Sequence, residues 1–297
     1  MNPRYALFTG CAAKGACPEL YQSTMHILEH LKIEVVELIE SSCCGAGVVT
    51  EADPDLGLAL AARTFAQAEA KGLHLMTICG TCQGVLAAAN NKLKADRSLL
   101  DRMNQLLGPE GLRYSGELTV KHLLWILVGE VGVDVLRAKV KRPLTDWRVA
   151  PFYGCYILRP SRDLGFDDPE HPTSLDKLIE ALGGHAVDYE GKTKCCGFPV
   201  VLENEPLAVS MVARNVKDAA EGLADCMVTP CPLCHMNLDI YQKRAGQSIQ
   251  EPLRMPFLHL PQLVGLALGF TPKEMALSRH LVSTQPLEQK LIQIKVR

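Results

Sequence analysis

The sequence predicts an α/β protein of two similar halves, each holding a short, mostly parallel sheet flanked by helices. Two observations carry this. Strand-like and helix-like stretches alternate in both halves, and ten of the 12 cysteines fall into two matching sets. Set one is Cys11, Cys43, Cys44, Cys79 and Cys82, and set two is Cys155, Cys195, Cys196, Cys231 and Cys234. In each set 34 residues separate an adjacent pair from a C-x-x-C. A lone cysteine stands before the pair, with 31 intervening residues in set one and 39 in set two. Four equivalent cysteines are offset by 152 and the lone ones by 144, an internal duplication with one insertion of eight residues. Flanking sequence repeats as well. "YALFTGC" matches "VAPFYGC", "LMTICGTC" matches "MVTPCPLC", and "TVKHLLWILVG" resembles "PFLHLPQLVG", which pairs His122 with His259. The boundary falls near Lys139–Asp146, giving domains 1–143 and 144–297.

Element by element, Tyr5–Thr9 reads as a strand and Cys11 follows it. Leu20–Leu31 has helical spacing. Glu34–Ile39 is rich in β-branched residues, hence a strand, and Cys43–Cys44 follow. Pro54–Ala70 is an alanine-rich helix with Asp53 as its N-cap. Leu75–Ile78 is a short buried strand ending at Cys79, and the chain is helical again from Gln83. The second half repeats this as strand Arg148–Phe152, helix Ser174–Leu182, strand His185–Asp188, helix Pro206–Leu223 and strand Met227–Thr229. The alternation implies two Rossmann-like units with right-handed crossovers. Every cysteine of a set then lies just past the carboxyl end of a strand, where open α/β sheets bind ligands. The loops lead into helix N-termini, whose dipoles favour negative charge. Gly10, Gly45, Gly80, Gly154 and Gly197 suit the tight backbone such loops need.

Composition narrows the chemistry. A net charge of −2 argues for neither a nucleic-acid nor a membrane electrostatic footprint. "MNPRYALFTG" reads as no secretory signal, and the apolar stretches Val120–Val128 and Met255–Phe270 are too short or interrupted for a transmembrane segment. The expected compartment is the cytoplasm, where clustered cysteines mean metal or redox chemistry. Zinc takes four ligands while each set offers five, and a thioredoxin-like dithiol leaves three cysteines per set unexplained. An ordinary cubane iron–sulfur cluster also uses four. Five thiols mean a cubane plus one free thiol, or a cluster with more than four thiolate ligands.

The pattern C-x(n)-C-C-G-x(n)-C-x-x-C resembles the CCG domain, and two copies over about residues 3–270 resemble the B subunit of heterodisulfide reductase. "GCAAKGACPELYQSTM" is most similar to B-type subunits of the heterodisulfide-reductase-like complexes of sulfur oxidisers. The resemblance implies two noncubane 4Fe–4S clusters, one held by Cys11, Cys43, Cys44, Cys79 and Cys82, the other by Cys155, Cys195, Cys196, Cys231 and Cys234. It implies a cavity between the halves where a disulfide receives one electron from each cluster, or where a carrier-bound sulfur is oxidised. The sequence has no C-x-x-C-x-x-C-x-x-x-C-P run and no G-x-G-x-x-G. The implied partners are therefore a ferredoxin-type iron–sulfur protein like the family's C-type component and, beyond it, a flavoprotein like its A-type component. The expected function is the catalytic iron–sulfur subunit of such a complex. The alternative is an electron-transfer subunit of a respiratory dehydrogenase, such as a glycolate, lactate or succinate oxidising complex. A solvent-open cavity between the clusters favours the first, and clusters sealed in protein favour the second.

Weaker signals remain. Cys17 is a candidate substrate-handling thiol, against the blander reading of a small buried hydrophobe, which also suits Cys226. Lys14 and Lys194 flank cluster cysteines and are candidates for steering an anionic substrate, against that of solvated surface lysines. His122 and His259 each open an apolar helix and are candidates to hydrogen-bond a cluster sulfur, against that of capping or core histidines. His235, after Cys234, stands where the first half has Gln83. The tail Thr271–Arg297 ends in alternating apolar residues and is expected to dock on a partner or on the other half.

Overall fold

The computed structural model describes residues 3–293. Strands β1 (Arg4–Phe8), β2 (Glu34–Glu37), β3 (His74–Thr77) and β4 (Val120–His122) form one sheet in the order β2-β1-β3-β4. Strands β5 (Arg148–Pro151), β6 (His185–Ala186), β7 (Cys226–Thr229) and β8 (Phe257–His259) form a second in the order β6-β5-β7-β8. Every pairing is parallel. The repeated order is the architecture the cysteine spacing predicts. The fourth strand of each sheet reads in the sequence only as a helix start. At three residues, β4 and β8 are too short to show a period of two, and each ends on the histidine that opens the next helix.

The longer helices are α1 (Pro18–Leu31), α2 (Pro54–Glu69), α3 (Gly80–Ala95), α4 (Arg97–Leu107), α5 (Ser174–Ala181), α6 (Glu205–Glu221), α7 (Pro232–Ile240), α8 (Leu260–Ala267) and α9 (Gln285–Gln293). The Asp53 carboxylate accepts from Leu56 N at 3.0 Å and starts α2, and the Asn204 side chain accepts from Leu207 N at 3.0 Å to start its counterpart α6. Proline in the first turn follows both caps.

Side chains alternate along β1. Tyr5 and Leu7 join one apolar cluster, Ala6 and Phe8 the other, so helices cover both faces of the sheet. Each cluster draws on both halves. Helix α1 of the first half packs on α8 of the second. Its counterpart α5 packs on the helical segment 126–139, the counterpart of α8. The repeats thus exchange equivalent helices, and the exchange presses their cysteine-bearing edges together.

The tail docks on the chain itself. Leu287 and Leu291 of α9 are buried, each burial being worth about 1.5–3 kcal/mol. Lys290 Nζ lies 2.6 Å from Asp225, and the Asp239 carboxylate accepts from Leu281 N at 2.8 Å and Val282 N at 3.0 Å. Residues 294–297, which complete the alternating pattern, lie outside the described residues. No helix among the described residues is long and apolar enough to cross a membrane.

Candidate metal centre and cavity

Each strand end delivers cysteines to one crest. Cys11 lies three residues past β1, Cys43 and Cys44 follow β2, Cys79 lies two past β3, and Cys82 sits in the first turn of α3. The second half repeats this with Cys155, Cys195, Cys196, Cys231 and Cys234. None of the twelve thiols forms a disulfide. In set one the Sγ atoms of Cys11 and Cys43 lie 3.8 Å apart and those of Cys44 and Cys82 3.4 Å apart. In set two Cys155, Cys195, Cys196 and Cys234 shift one another's titration in the equivalent order.

Thiols this close cannot all ionise. Hydrogen bonds from Cys43 and Cys82 hold Cys44 down to about 3, and those from Cys155 and Cys196 hold Cys195 down to about 2. Cys231 is held well below the usual thiol range by Cys234 and Cys79. Cys43, Cys82, Cys155, Cys196 and Cys234 are pushed up, in each case chiefly by the thiol neighbour that keeps its proton shared. Metal binding replaces such shared protons.

A void of about 40 Å³ is bounded by all five cysteines of set one. Glycine keeps each set open. A Cβ on Gly10 (φ +67°) would stand 3.1 Å from Cys82 Sγ, and one on Gly154 (φ +72°) 2.9 Å from Cys234 Sγ. Five convergent soft donors around a small void fit an iron–sulfur cluster better than any hard cation. Those ten cysteines would hold two such groups.

Beside set two lies a cavity of about 330 Å³. Cys155, Cys196, Cys231 and Cys234 form one side of it, and residues 46–48 and 80–81 of the first half form the other. Its lining is mostly apolar, with Ile157, Phe198 and Leu233 inside and Val48 and Leu202 at an exposed lip. Among its lining residues Glu51 is the single charged side chain, and none is basic. Set one instead reaches the surface, where Cys11 and Cys43 are exposed.

The weaker candidates stand elsewhere. Lys14 pairs with Glu37, and Lys194 lies 3.1 Å from Glu190. Neither lysine lines the cavity, so the expectation of anion steering does not hold there. Cys17 is buried away from the cavity, and burial pushes its thiol up to about 12. It is no exposed nucleophile. Cys226 opens β7 and is fully buried. His122 Nε2 faces Pro230 O at 3.0 Å while its Nδ1 accepts from Leu124 N at 3.0 Å, and His259 Nε2 lies 3.3 Å from Glu19. Neither imidazole hydrogen-bonds a cysteine sulfur. Each spends its Nε2 on a group of the opposite half, so their shared role is to join the halves.

Two residues escape a reading of the sequence. Thr81 Oγ1 lies 3.4 Å from Cys231 Sγ across the repeat boundary, and its counterpart Leu233 borders the void of set one. The one signal for them is position: each stands between the cysteines of a C-x-x-C.

Two five-thiol sets on duplicated α/β units define a cysteine-rich redox metalloprotein. A family model described as "CCG: Cysteine-rich domain" matches residues 5–87 and 149–239. The 8-methylmenaquinol:fumarate reductase membrane anchor subunit of Wolinella succinogenes is 40% identical over 287 residues, 97% of this chain and 100% of that one. The B subunit of a ferredoxin/F420H2-dependent CoB-CoM heterodisulfide reductase from Methanosarcina acetivorans is 33% identical over 294 residues, 98% of each chain. An Archaeoglobus profundus protein described as like the heterodisulfide reductase B subunit is 33% identical over 278 residues, 92% of this chain and 93% of that one. A crystal structure of a hypothetical protein from Helicobacter pylori superposes with a TM-score of 0.77 at 17% identity, covering 95% of this chain and 52% of that chain. That likeness concerns the fold. The chain belongs to the heterodisulfide reductase B-subunit family of CCG proteins, and it is a redox iron–sulfur subunit of an oxidoreductase.

Proposed function

We propose that the chain is the substrate-bearing iron–sulfur subunit of a multi-subunit oxidoreductase, and that an apolar two-electron carrier of the quinol class sits in the cavity beside set two. The lining carries the argument: a wall of Ile157, Phe198, Val201 and Leu233 with no basic side chain suits an aromatic, uncharged molecule and not an anionic disulfide. The 40% identity to a methylmenaquinol:fumarate reductase subunit supports the same class. Such a cavity also argues against a pure electron-transfer subunit whose centres never meet substrate.

Two 4Fe–4S clusters, noncubane by family resemblance, would be held by Cys11, Cys43, Cys44, Cys79 and Cys82 and by Cys155, Cys195, Cys196, Cys231 and Cys234. When bound they supply one-electron transfer. The chain's own residues divide the two ends of the path. The exposure of Cys11 and Cys43 supports docking of a ferredoxin-type iron–sulfur partner of the C type on that side, with an A-type flavoprotein beyond it. The cavity wall excludes water on the substrate side. Residues 1–143 and 144–297 would form the two units, in the cytoplasm, where free thiols persist.

Thiol, disulfide or carrier-bound sulfur chemistry is the second reading. Half-buried Cys155 opening onto the cavity, and 33% identity to heterodisulfide reductase subunits, favour it. One experiment separates the two. Anaerobic protein is mixed with a menaquinol analogue or with a thiol/disulfide pair carrying carboxylates, and cluster absorbance is followed. The quinol is expected to change the spectrum, and Leu202→Lys at the exposed lip to weaken that response. A response to the charged pair alone, strengthened by Leu202→Lys, overturns the quinol reading in favour of sulfur chemistry.

A further inference from the structure

Away from both five-cysteine sets, a second group of ligand-type side chains is buried where the halves meet. Cys17 precedes α1, Glu19 lies in its first turn, His235 is on α7, and His259 ends β8. One donor atom from each lies within 4.8 Å of every other. The four residues are 1%, 5%, 3% and 0% exposed. The two imidazole rings stack with centroids 3.8 Å apart.

Hydrogen bonding sets the form of His235. Gln262 Oε1, which can only accept, takes bonds from His259 N at 2.9 Å and His280 Nε2 at 3.1 Å. The proton of His280 is therefore on Nε2, and its Nδ1 accepts. His235 Nε2 faces that Nδ1 at 2.9 Å and Phe257 O at 2.8 Å. With two acceptors before it, His235 Nε2 carries the proton. Its Nδ1 is a bare lone pair, buried and without a partner. An imidazole that donates to a carbonyl through one nitrogen and offers the other is the arrangement of a metal-bound histidine.

The first half supplies the control. Gln83, at the position equivalent to His235, donates from Nε2 to Val120 O at 3.1 Å, the bond His235 makes to Phe257 O. A glutamine suffices for that clamp, so the clamp does not explain the histidine or its idle nitrogen. Nor does the second half's cluster site, whose five thiols are already accounted for.

We propose that Cys17, Glu19, His235 and His259 bind one divalent transition-metal ion, zinc by ligand type, as a staple between the halves. One thiolate and one carboxylate, the latter also 3.1 Å from Arg279 Nε, neutralise the ion, and the two neutral imidazoles turn out of their stack to complete four-coordination, since the in-plane lone pairs of stacked rings do not meet. On binding, the Cys17 thiol gives up its proton to solvent and the sulfur takes the metal. Four protein ligands leave no open position, so the site is structural. It ties α1 to β8 and to α7, the helix whose start carries Cys231 and Cys234. It stands independently of which substrate the cavity takes.

The test uses the full chain with its clusters in place, exposed to zinc alone and then desalted. One zinc per chain is expected beside the iron, with an X-ray absorption edge fitted by one sulfur and three nitrogen or oxygen neighbours. Cys17→Ala and Glu19→Gln should each bind zinc at least about tenfold more weakly while iron and sulfide per chain stay unchanged. A chelator should lower the melting temperature of the wild type and leave that of Cys17→Ala unmoved, a comparison that holds even if the variant starts out less stable. Zinc in an all-sulfur environment, or equal uptake by wild type and Cys17→Ala, overturns the site.

Discussion

The Sγ atoms of Cys79 and Cys231, equivalent residues of the two repeats, stand 3.9 Å apart. Gly80 N donates to Pro230 O at 3.1 Å beside them, and a Cβ on Gly80 would stand 3.3 Å from Cys231 Cβ. The two sets therefore meet through one pair of cysteines, with Cys11 and Cys155 away from that junction. Substitutions at the far ends should act locally: Cys11→Ala should alter the paramagnetic signal of the first centre alone, and Cys155→Ala that of the second. Cys79→Ala should disturb both. Low-temperature spin resonance on reduced protein reads all three. Unaltered signals in Cys11→Ala and Cys155→Ala would show that the partition into two sets is wrong.

The repeats differ at the residue each lends the other. Thr81 Oγ1 lies 3.4 Å from Cys231 Sγ and would donate to it once that sulfur is a thiolate, whereas Leu233 offers set one only carbon. A hydrogen bond to a ligating sulfur stabilises the reduced, more negative state and raises the potential. A bond worth roughly 0.5–1.5 kcal/mol corresponds to about 20–60 mV for one electron. Thr81→Val should lower the potential of the second centre by that amount and leave the iron content alone. Redox titration followed by spin resonance measures it, and an unchanged potential would remove Thr81 from the tuning of that centre.

Spacing made the duplication legible, because a metal site with several thiols tolerates little drift between them. It also placed each cysteine past a strand end. What it left hidden depends on partners far away in sequence. Nothing in Pro18–Leu31 says that its apolar face packs on Leu260–Ala267, since amphipathic spacing marks a buried face without naming what buries it. His122 and His259 were legible as a matched pair, but their acceptors, Pro230 and Glu19, belong to the opposite repeat. The same holds for Cys17. Alone it reads as a small hydrophobe, and only folding brings His235 and His259 to it.

Acid should weaken the join made by His122. Desolvation lowers its pKa to about 4, outweighing the opposing effects of Cys231 and the Pro230 carbonyl. The unfolded chain binds this proton near pH 6.5, so between pH 6.5 and about 4 the unfolded state holds more protons and stability falls as pH falls. At pH 5 the loss is about 2 kcal/mol relative to neutral pH. His122→Gln keeps a donor for Pro230 O and cannot charge. Urea melts at pH 7.5 and pH 5 should show a smaller acid loss for the variant than for wild type. Equal losses would mean that His122 charges as readily in the folded protein as in the unfolded one.

Gly84 shows how closely the halves are laid together. It lies on α3 of the first half, and a Cβ there would stand 2.5 Å from the carbonyl oxygen of Tyr156 and 3.0 Å from Tyr156 Cδ1. Tyr156 follows Cys155 and lines the cavity, so an added methyl pushes backbone that carries a thiol of set two. Such overpacking costs about 1–3 kcal/mol, and the Cys155 loop must move to relieve it. Gly84→Ala should therefore lower the melting temperature and selectively diminish the second centre, with the first intact. Gly15→Ala is the matched control: nothing lies within 4 Å of a Cβ there, and its φ is not positive, so alanine fits without strain. Calorimetry and iron content on the two variants distinguish a tight interface from a general intolerance of added methyls. Equal behaviour would mean that α3 and the Cys155 loop can slide apart without cost to the site.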